Sequence, residues 1–399
     1  MNMDDYAYLG QKADNVLDAM NKQVIAHKEE FGQEDFHLRF SKKTTESLAG
    51  LSRNAVEKAM VEMEINGYPF KRKPNGNLDS FSIEDVIAIY KQRQIPTYRD
   101  IHQQSLVIYF NNLKGGAGKS SACVNTAHAL RTDKTLLRYD LRILVIDKDP
   151  QASSTMYLNS QLAIGSQDKT AAKAMFTPNI SREILLDQYV FDTSIYGVSL
   201  MPAAIDDGFL TTSWLEDCES QLGEDQEPHS ILKDNVIDKL RNDFDLIFID
   251  TGPHLDYFLL NSIVAADVLV TPLPPVTVDF HSSLKYLSQL RILMKYLNNL
   301  GIDTDKKPML GFMNKFSPHI LQHQESLALA KVVLEDKILD VHIPDKSGFQ
   351  RCGVTFDTVV SVDPSMYDGD KKALKGSQEA IYEFSRSFFS RLELIRSKL

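Results

Sequence analysis

A short apolar run, Leu106-Val107-Ile108-Tyr109-Phe110, is followed closely by Lys114-Gly115-Gly116-Ala117-Gly118-Lys119-Ser120, and a helical pattern begins where the glycines end. Few folds tolerate that order. A strand without polar residues belongs inside a parallel sheet covered on both faces. Glycines let backbone amides approach an anion, and the helix that follows presents its positive N-terminal end to the same point. The segment is expected to cradle phosphates. Lys119 neutralises the terminal phosphate oxygens, and the Ser120 hydroxyl is offered to a magnesium ion. The spacing is a variant of G-x-x-x-x-G-K-[ST], because counting back from Gly118 puts Leu113 at the first glycine position and leaves Lys114 just before the glycines. The expected ligands are ATP or ADP with Mg²⁺, held by residues 114–121, Ser121 included.

Further apolar runs alternate with helical patterns: Leu141 to Ile146, Leu246 to Ile249, Val268 to Val270, and Leu310 to Met313. This predicts an α/β fold, a doubly wound and mainly parallel sheet over residues 105–399. The ends of these runs carry the chemistry. One delivers Asp147-Lys148-Asp149-Pro150-Gln151, another Asp250-Thr251-Gly252-Pro253. Paired carboxylates just past a strand end can serve a metal shell and an attacking water. Open α/β sheets bind ligands at these carboxyl ends.

The residues before 105 divide in two. Residues 1–36 hold 3 Lys/Arg against 8 Asp/Glu. Ala13, Val16, Leu17, Met20, Val24, His27 and Phe31 form one apolar stripe of a helix that cannot stand alone in water. It packs on its own domain or serves as a dimerisation arm. Residues 37–104 hold 11 Lys/Arg against 8 Asp/Glu. A short helix over Thr44 to Gly50, a turn, and a second helix capped by Ser52 and running to Glu64 read as a helix-turn-helix, with Val56, Ala59, Met60 and Met63 inward. Lys71-Arg72-Lys73-Pro74-Asn75-Gly76 reads as a basic wing hairpin. Arg53 and Asn54 suit guanine and adenine edges, while Lys58, Lys71, Arg72 and Lys73 would meet phosphates. Ser82 to Gln92 predicts one more helix, and Gln94 to Gln104 a polar linker. A formal net charge of −10 argues against a uniformly basic DNA binder and demands a segregated basic face. Cys123, Cys218 and Cys352 form no CxxC, which predicts free thiols in a reducing cytoplasm. No leader and no apolar span of membrane length is evident.

The string Lys114-Gly-Gly-x-Gly-Lys-Ser, with D-x-D-P-Q at 147–151 and Asp250-Thr251-Gly252-Pro253, resembles the deviant Walker motifs of the ParA/MinD family. The helix-turn-helix extension, Pro272-Leu-Pro-Pro-Val-Thr-Val-Asp-Phe-His and Phe349-Gln-Arg-Cys-Gly resemble the large ParA subgroup of plasmids and plasmid-like phages. The resemblance implies an ATPase that is weak alone and works as a homodimer. Lys114 would reach the partner's nucleotide, and Asp149 would orient or deprotonate the water. Asp147 would lie near the Mg²⁺ network, and Asp250 would hold the metal through water. Asn314 and Pro344 would border the base. It also implies a ParB-type centromere-binding partner, non-specific binding to nucleoid DNA in the ATP state, and operator repression in the ADP or apo state. Arg351 is the first choice for the non-specific DNA contact, with Lys375 and Arg386 behind it. Two alternatives are a MinD-like membrane-surface ATPase, whose C-terminal helix would carry Ile381, Phe384, Phe388, Leu392 and Ile395 on its lipid face, and a repressor for which ATP is only a ligand.

Overall fold

The computed structural model describes residues 3–30, 38–163, 167–304 and 307–399. Its first element, α1 (Met3–Glu30), is a long helix. Of the stripe along it, Ala13, Val16, Leu17 and Met20 are exposed. The side chains of Val24 and His27, and all of Phe31, lie outside the described residues. The described part of the stripe is not buried against its own domain.

The next helices build a small domain. α2 (Lys42–Glu46) starts earlier than expected because the Ser41 hydroxyl accepts from the Thr44 amide at 3.1 Å and caps it there. α3 (Arg53–Ile65) is capped by Ser52, whose hydroxyl accepts from the Ala55 amide. It buries Val56, Ala59 and Met63, with Met60 half-buried. α4 (Ile83–Gln92) opens with a reciprocal capping box between Ser82 and Asp85. Phe40, Leu48, Phe81, Val86 and Ile89 complete the core. Each such side chain contributes roughly 1.5–3 kcal/mol on burial. The wing closes through an antiparallel bridge between Arg72 and Leu78, with the Lys73 amide donating to the Asn77 carbonyl at 2.8 Å.

Residues 94–104 are not a free linker, contrary to their polar composition. They hold a one-turn helix, α5 (Tyr98–Ile101), whose Tyr98 is 1% exposed. Tyr98 packs its ring on Tyr139 and Phe389 and donates its hydroxyl to Glu393, while Arg99 pairs with the buried Asp245 at 3.2 Å. One aromatic anchor in a polar stretch is easy to miss, because no periodicity announces it.

The sheet has eight strands: β1 (Leu106–Phe110), β2 (Ile143–Lys148), β3 (Phe191–Asp192), β4 (Val198–Met201), β5 (Leu246–Thr251), β6 (Val268–Leu273), β7 (Met309–Phe316) and β8 (Ile343–Pro344). Their order is β3-β4-β2-β5-β1-β6-β7-β8, and every pairing is parallel except β3 with β4. β3, β4 and β8 are too short to have stood out as apolar runs. Residues alternate between two cores, with Ile143 and Val145 on one face and Leu144 and Ile146 on the other. The first face is covered by α6 (Lys119–Thr132) and by the C-terminal helix Lys371–Arg396. That helix buries Ile381, Phe384, Phe388 and Leu392 against the sheet, so its apolar stripe is not free to meet lipid. Among the described residues, no helix is long and apolar enough to cross a membrane. Cys123, Cys218 and Cys352 are free and buried.

Candidate functional site

The glycines of the loop between β1 and α6 do what their chemistry permits. Gly116 and Gly118 adopt φ of 78° and 79°, the left-handed region that a β-carbon disfavours. Gly118 is the residue before the first turn of α6, and a β-carbon there would meet the Asn314 amide nitrogen at 2.2 Å. Lys119 therefore enters at the head of the helix, almost fully buried, with Ser120 beside it half-buried. Burial lowers the Lys119 pKa, and Asp250 and Asp149 oppose that shift.

The three carboxylates divide their work. Asp147 and Asp250 face each other in the β2–β5 register. Both lie inside their strands rather than past the ends, because β2 and β5 run further than their apolar runs suggest. Asp147 uses both oxygens within the protein. One accepts from the Asp149 amide at 3.0 Å, and the other from the amide and hydroxyl of Thr155 at 2.8 Å each. Those three bonds hold the turn into α7 (Ser153–Leu158). Asp250 is different. One oxygen accepts from the Ser154 hydroxyl at 2.7 Å, and the other is buried without a partner. Burial pushes its pKa up to about 6, and the nearby Lys119, Ser120 and Ser154 pull against that shift. A buried carboxylate oxygen without a hydrogen-bond donor, beside the Ser120 hydroxyl, offers the oxygen ligands a hard cation takes, and the Lys119 ammonium next to it suits phosphate rather than metal. The residues present fit Mg²⁺. Asp149 is mostly buried, accepts from the Gln151 amide at 3.0 Å, and lies against Gly252, where a β-carbon would meet it at 3.2 Å.

Lys114 is half-buried and paired with Asp279, on the helix Thr277–Asn299, at 3.1 Å. Its amide donates to Asn112, whose own amide group donates to the Pro272 carbonyl and to Ser283. The lysine is thus stored against its own chain.

A cavity of about 350 Å³ opens beside the loop. Gly116, Gly118, Ser121, Asn314 and Pro344 line it, joined by Tyr157 and Gln350, which the sequence did not single out. The Asn314 amide donates to the Ala117 carbonyl at 2.8 Å, so its side chain braces the phosphate loop. A larger cleft of about 820 Å³ lies between the small domain and the sheet, but pairs such as Lys91 with Asp140 and Arg99 with Asp245 occupy its charges. The phosphate loop is not part of it.

The residues expected to meet DNA are all exposed, and most have a carboxylate beside them. Arg53 pairs with Glu57, Lys58 with Glu62, Arg72 with Glu64, and Lys73 with Asp79. Asn54 and Lys71 are also exposed. Arg351 is exposed and donates to the Asp368 carbonyl at 2.7 Å. Arg386 instead forms a 2.7 Å pair with the buried Asp133, which gives it a structural task.

A family model described as the ParA helix turn helix domain matches residues 13–102, and one described as an AAA domain matches residues 105–300. Plasmid partition protein A of Escherichia coli is 43% identical over 391 residues, 98% of each chain. Protein SopA of Escherichia coli K12 is 27% identical over 201 residues, 49% of this chain and 48% of that one. A solved partition protein superposes with a TM-score of 0.77 at 38% identity, covering 98% of this chain and 99% of the other. A putative plasmid partition protein of Borrelia burgdorferi, solved with AMPPNP, shares the fold at 20% identity and a TM-score of 0.53 over 72% of this chain and all of that one, 100%.

Proposed function

The chain belongs to the plasmid partition protein A (ParA) family, and from that premise we propose that it is a Mg²⁺-dependent ATPase whose dimerisation switches it between two modes of DNA binding. The observation that carries the proposal is the unpartnered buried oxygen of Asp250 beside Lys119 and Ser120. Lys119 holds the phosphates from the head of α6. Ser120 and Asp250 would hold Mg²⁺, which when bound would neutralise phosphate charge. Asp149 accepts the proton of the attacking water or orients it. Gly116, Gly118 and Asn314 keep the loop open to the phosphates, and the cavity lined by Pro344 and Tyr157 takes the base.

Lys114 is the gate. In a single chain it is neutralised by Asp279. In a homodimer it would leave that carboxylate for the partner's phosphates, where a second cation stabilises charge that develops in the transition state. The exposed stripe of α1 supplies a dimerisation surface that does not depend on nucleotide. α3 would read operator bases with Arg53 and Asn54, with Lys58, Lys71, Arg72 and Lys73 on phosphates. Arg351 would meet chromosomal DNA in the ATP state. A ParB-type protein on the plasmid centromere would stimulate hydrolysis and release, and the cycle would run on the nucleoid in the cytoplasm.

The test is to measure binding to operator and to random DNA with ADP, with ATP, and without nucleotide, alongside Mg²⁺-dependent hydrolysis. The proposal expects operator preference with ADP and random-DNA binding with ATP. Identical DNA preference in all three states would overturn the two-mode reading. Hydrolysis that survives Asp250→Ala unchanged would overturn the site.

A further inference from the structure

One buried charge near the site is unexplained by the roles above. Lys148 lies between Asp147 and Asp149 in sequence, is 0% exposed, and points to the other face of the sheet. There it donates to the Phe258 carbonyl at 3.0 Å, with its ammonium 5.5 Å from the centre of the Phe258 ring. Phe258 lies in the first turn of the helix Tyr257–Ala265, and the cap of that helix is Asp256, whose carboxylate accepts from the Leu259 amide at 3.0 Å. Asp256 is the charge that acts on Lys148. An ammonium at a helix N-terminus opposes the helix dipole, and burying one costs several kcal/mol unless it is paired. A methionine would fill the same space without that cost, so packing alone does not explain the lysine.

What Lys148 holds gives the reason. The segment from Asp250 to the Tyr257 helix is the short loop 252–256. Its start lies against the water-directed carboxylate, since a β-carbon on Gly252 would stand 3.2 Å from Asp149. Its second residue lies against the phosphate loop, with Pro253 Cγ 3.9 Å from a β-carbon built on Gly115. Its far end is capped by Asp256 and tied by Lys148, the last residue of β2, to the strand end that leads directly into Asp149. The loop is thus anchored at Asp250 at one end and by Lys148 at the other, and it touches both the phosphate loop and Asp149 between those points.

We infer that Lys148 is a positioning residue for hydrolysis, which sets the loop 252–256 against Asp149 through the Phe258 carbonyl and Asp256. It touches no nucleotide. It determines where Asp149 and Gly252 stand relative to the loop that holds the phosphates. A shift of about 1 Å in such a group can cost on the order of a hundredfold in rate. The inference rests on the ATPase reading above.

The test compares wild type, Lys148→Met, Asp149→Ala, Lys148→Met/Asp149→Ala and Asp256→Asn, with ATP and Mg²⁺. Nucleotide affinity is measured by titration and hydrolysis by single-turnover assay. Lys148→Met should bind ATP and ADP within about twofold of wild type yet hydrolyse about tenfold more slowly. Adding Asp149→Ala should slow it little further than Asp149→Ala does alone, because both act on one step. Asp256→Asn keeps an N-cap acceptor but removes the charge, and should show the same split with a smaller loss, about threefold. If Lys148→Met does not fold, Asp256→Asn decides. Turnover within twofold of wild type in whichever variant decides, or losses that multiply in the double variant, would overturn the role of Lys148. A wild type that hydrolyses no ATP would instead overturn the ATPase reading itself.

Discussion

The phosphate site and the winged-helix surface both depend on charge, and they handle it in opposite ways. At the phosphate site Lys119, Asp147, Asp149 and Asp250 are all buried. Each loses hydration; both oxygens of Asp147 accept from fixed donors, whereas one oxygen of Asp250 has none. On the winged helix the cations stay in water and lean on nearby carboxylates: Arg53 on Glu57, Arg72 on Glu64. Exposed pairs of this kind contribute about 0–1 kcal/mol each. The interior site is therefore preorganised, and a single deletion in it is severe. The surface cations are adaptable, and under the proposed reading DNA phosphates would need only to displace weak internal partners. The same contrast lets an acidic chain keep exposed cations on its winged helix.

The largest effect should come from Lys119→Ala. It removes the buried cation beside two carboxylates, and ATP affinity should fall at least a hundredfold, about 3 kcal/mol. ATP binding close to wild type by titration would break the contrast. Asp149→Ala should keep ATP binding and slow single-turnover hydrolysis by about 10²–10⁴, and normal turnover would remove Asp149 from its role.

A pH test separates the two regions next. The folded pKa of Asp250 is raised above that of an unfolded aspartate, so the folded state holds its proton more tightly. Folding stability from this group is present at low pH and lost as pH rises from about 4 through about 6. Mg²⁺ with nucleotide should relieve the charged form. The thermal shift they cause should therefore be larger at pH 7.5 than at pH 5, and equal shifts would count against Asp250 as the metal-side carboxylate. The winged helix has no such buried group among its candidate DNA residues, so operator affinity over the same range should change far less.

Arg53→Ala should lose about 1–3 kcal/mol of operator binding with hydrolysis intact, and unchanged operator affinity in a gel-shift titration would remove α3 as the reading helix. The smallest effect belongs to Glu64→Gln. Freeing Arg72 should tighten DNA binding by only a few-fold, within the 0–1 kcal/mol of an exposed pair, and the gain should shrink as salt rises.

Much of this was legible beforehand because it is local. The glycines need positive φ, Ser52 and Ser82 cap the helices they precede, and β1 is an unbroken apolar run. What was hidden depends on contacts across the chain. Tyr98 turns a polar stretch into a docked segment because Phe389 and Glu393 lie far away in sequence. Asp279, which stores Lys114, has no motif of its own. The hydroxyl run Ser153-Ser154-Thr155 after Gln151 was the available signal that Asp147 and Asp250 would be held from α7.

By itself the sequence determined the phosphate loop, the parallel α/β pattern, the helix-turn-helix with its wing, and the family these motifs resemble, since each is written in residue type and spacing over a few consecutive positions. Only the tertiary structure decided which of two similar aspartates keeps an oxygen free, where Lys114 rests, that the C-terminal apolar stripe lies on the sheet, and that Lys148 ties the end of β2 to the first turn of the helix Tyr257–Ala265. Those outcomes depend on which groups meet after folding, because burial and pairing set the energy of a charge and neither is a property of the residue alone.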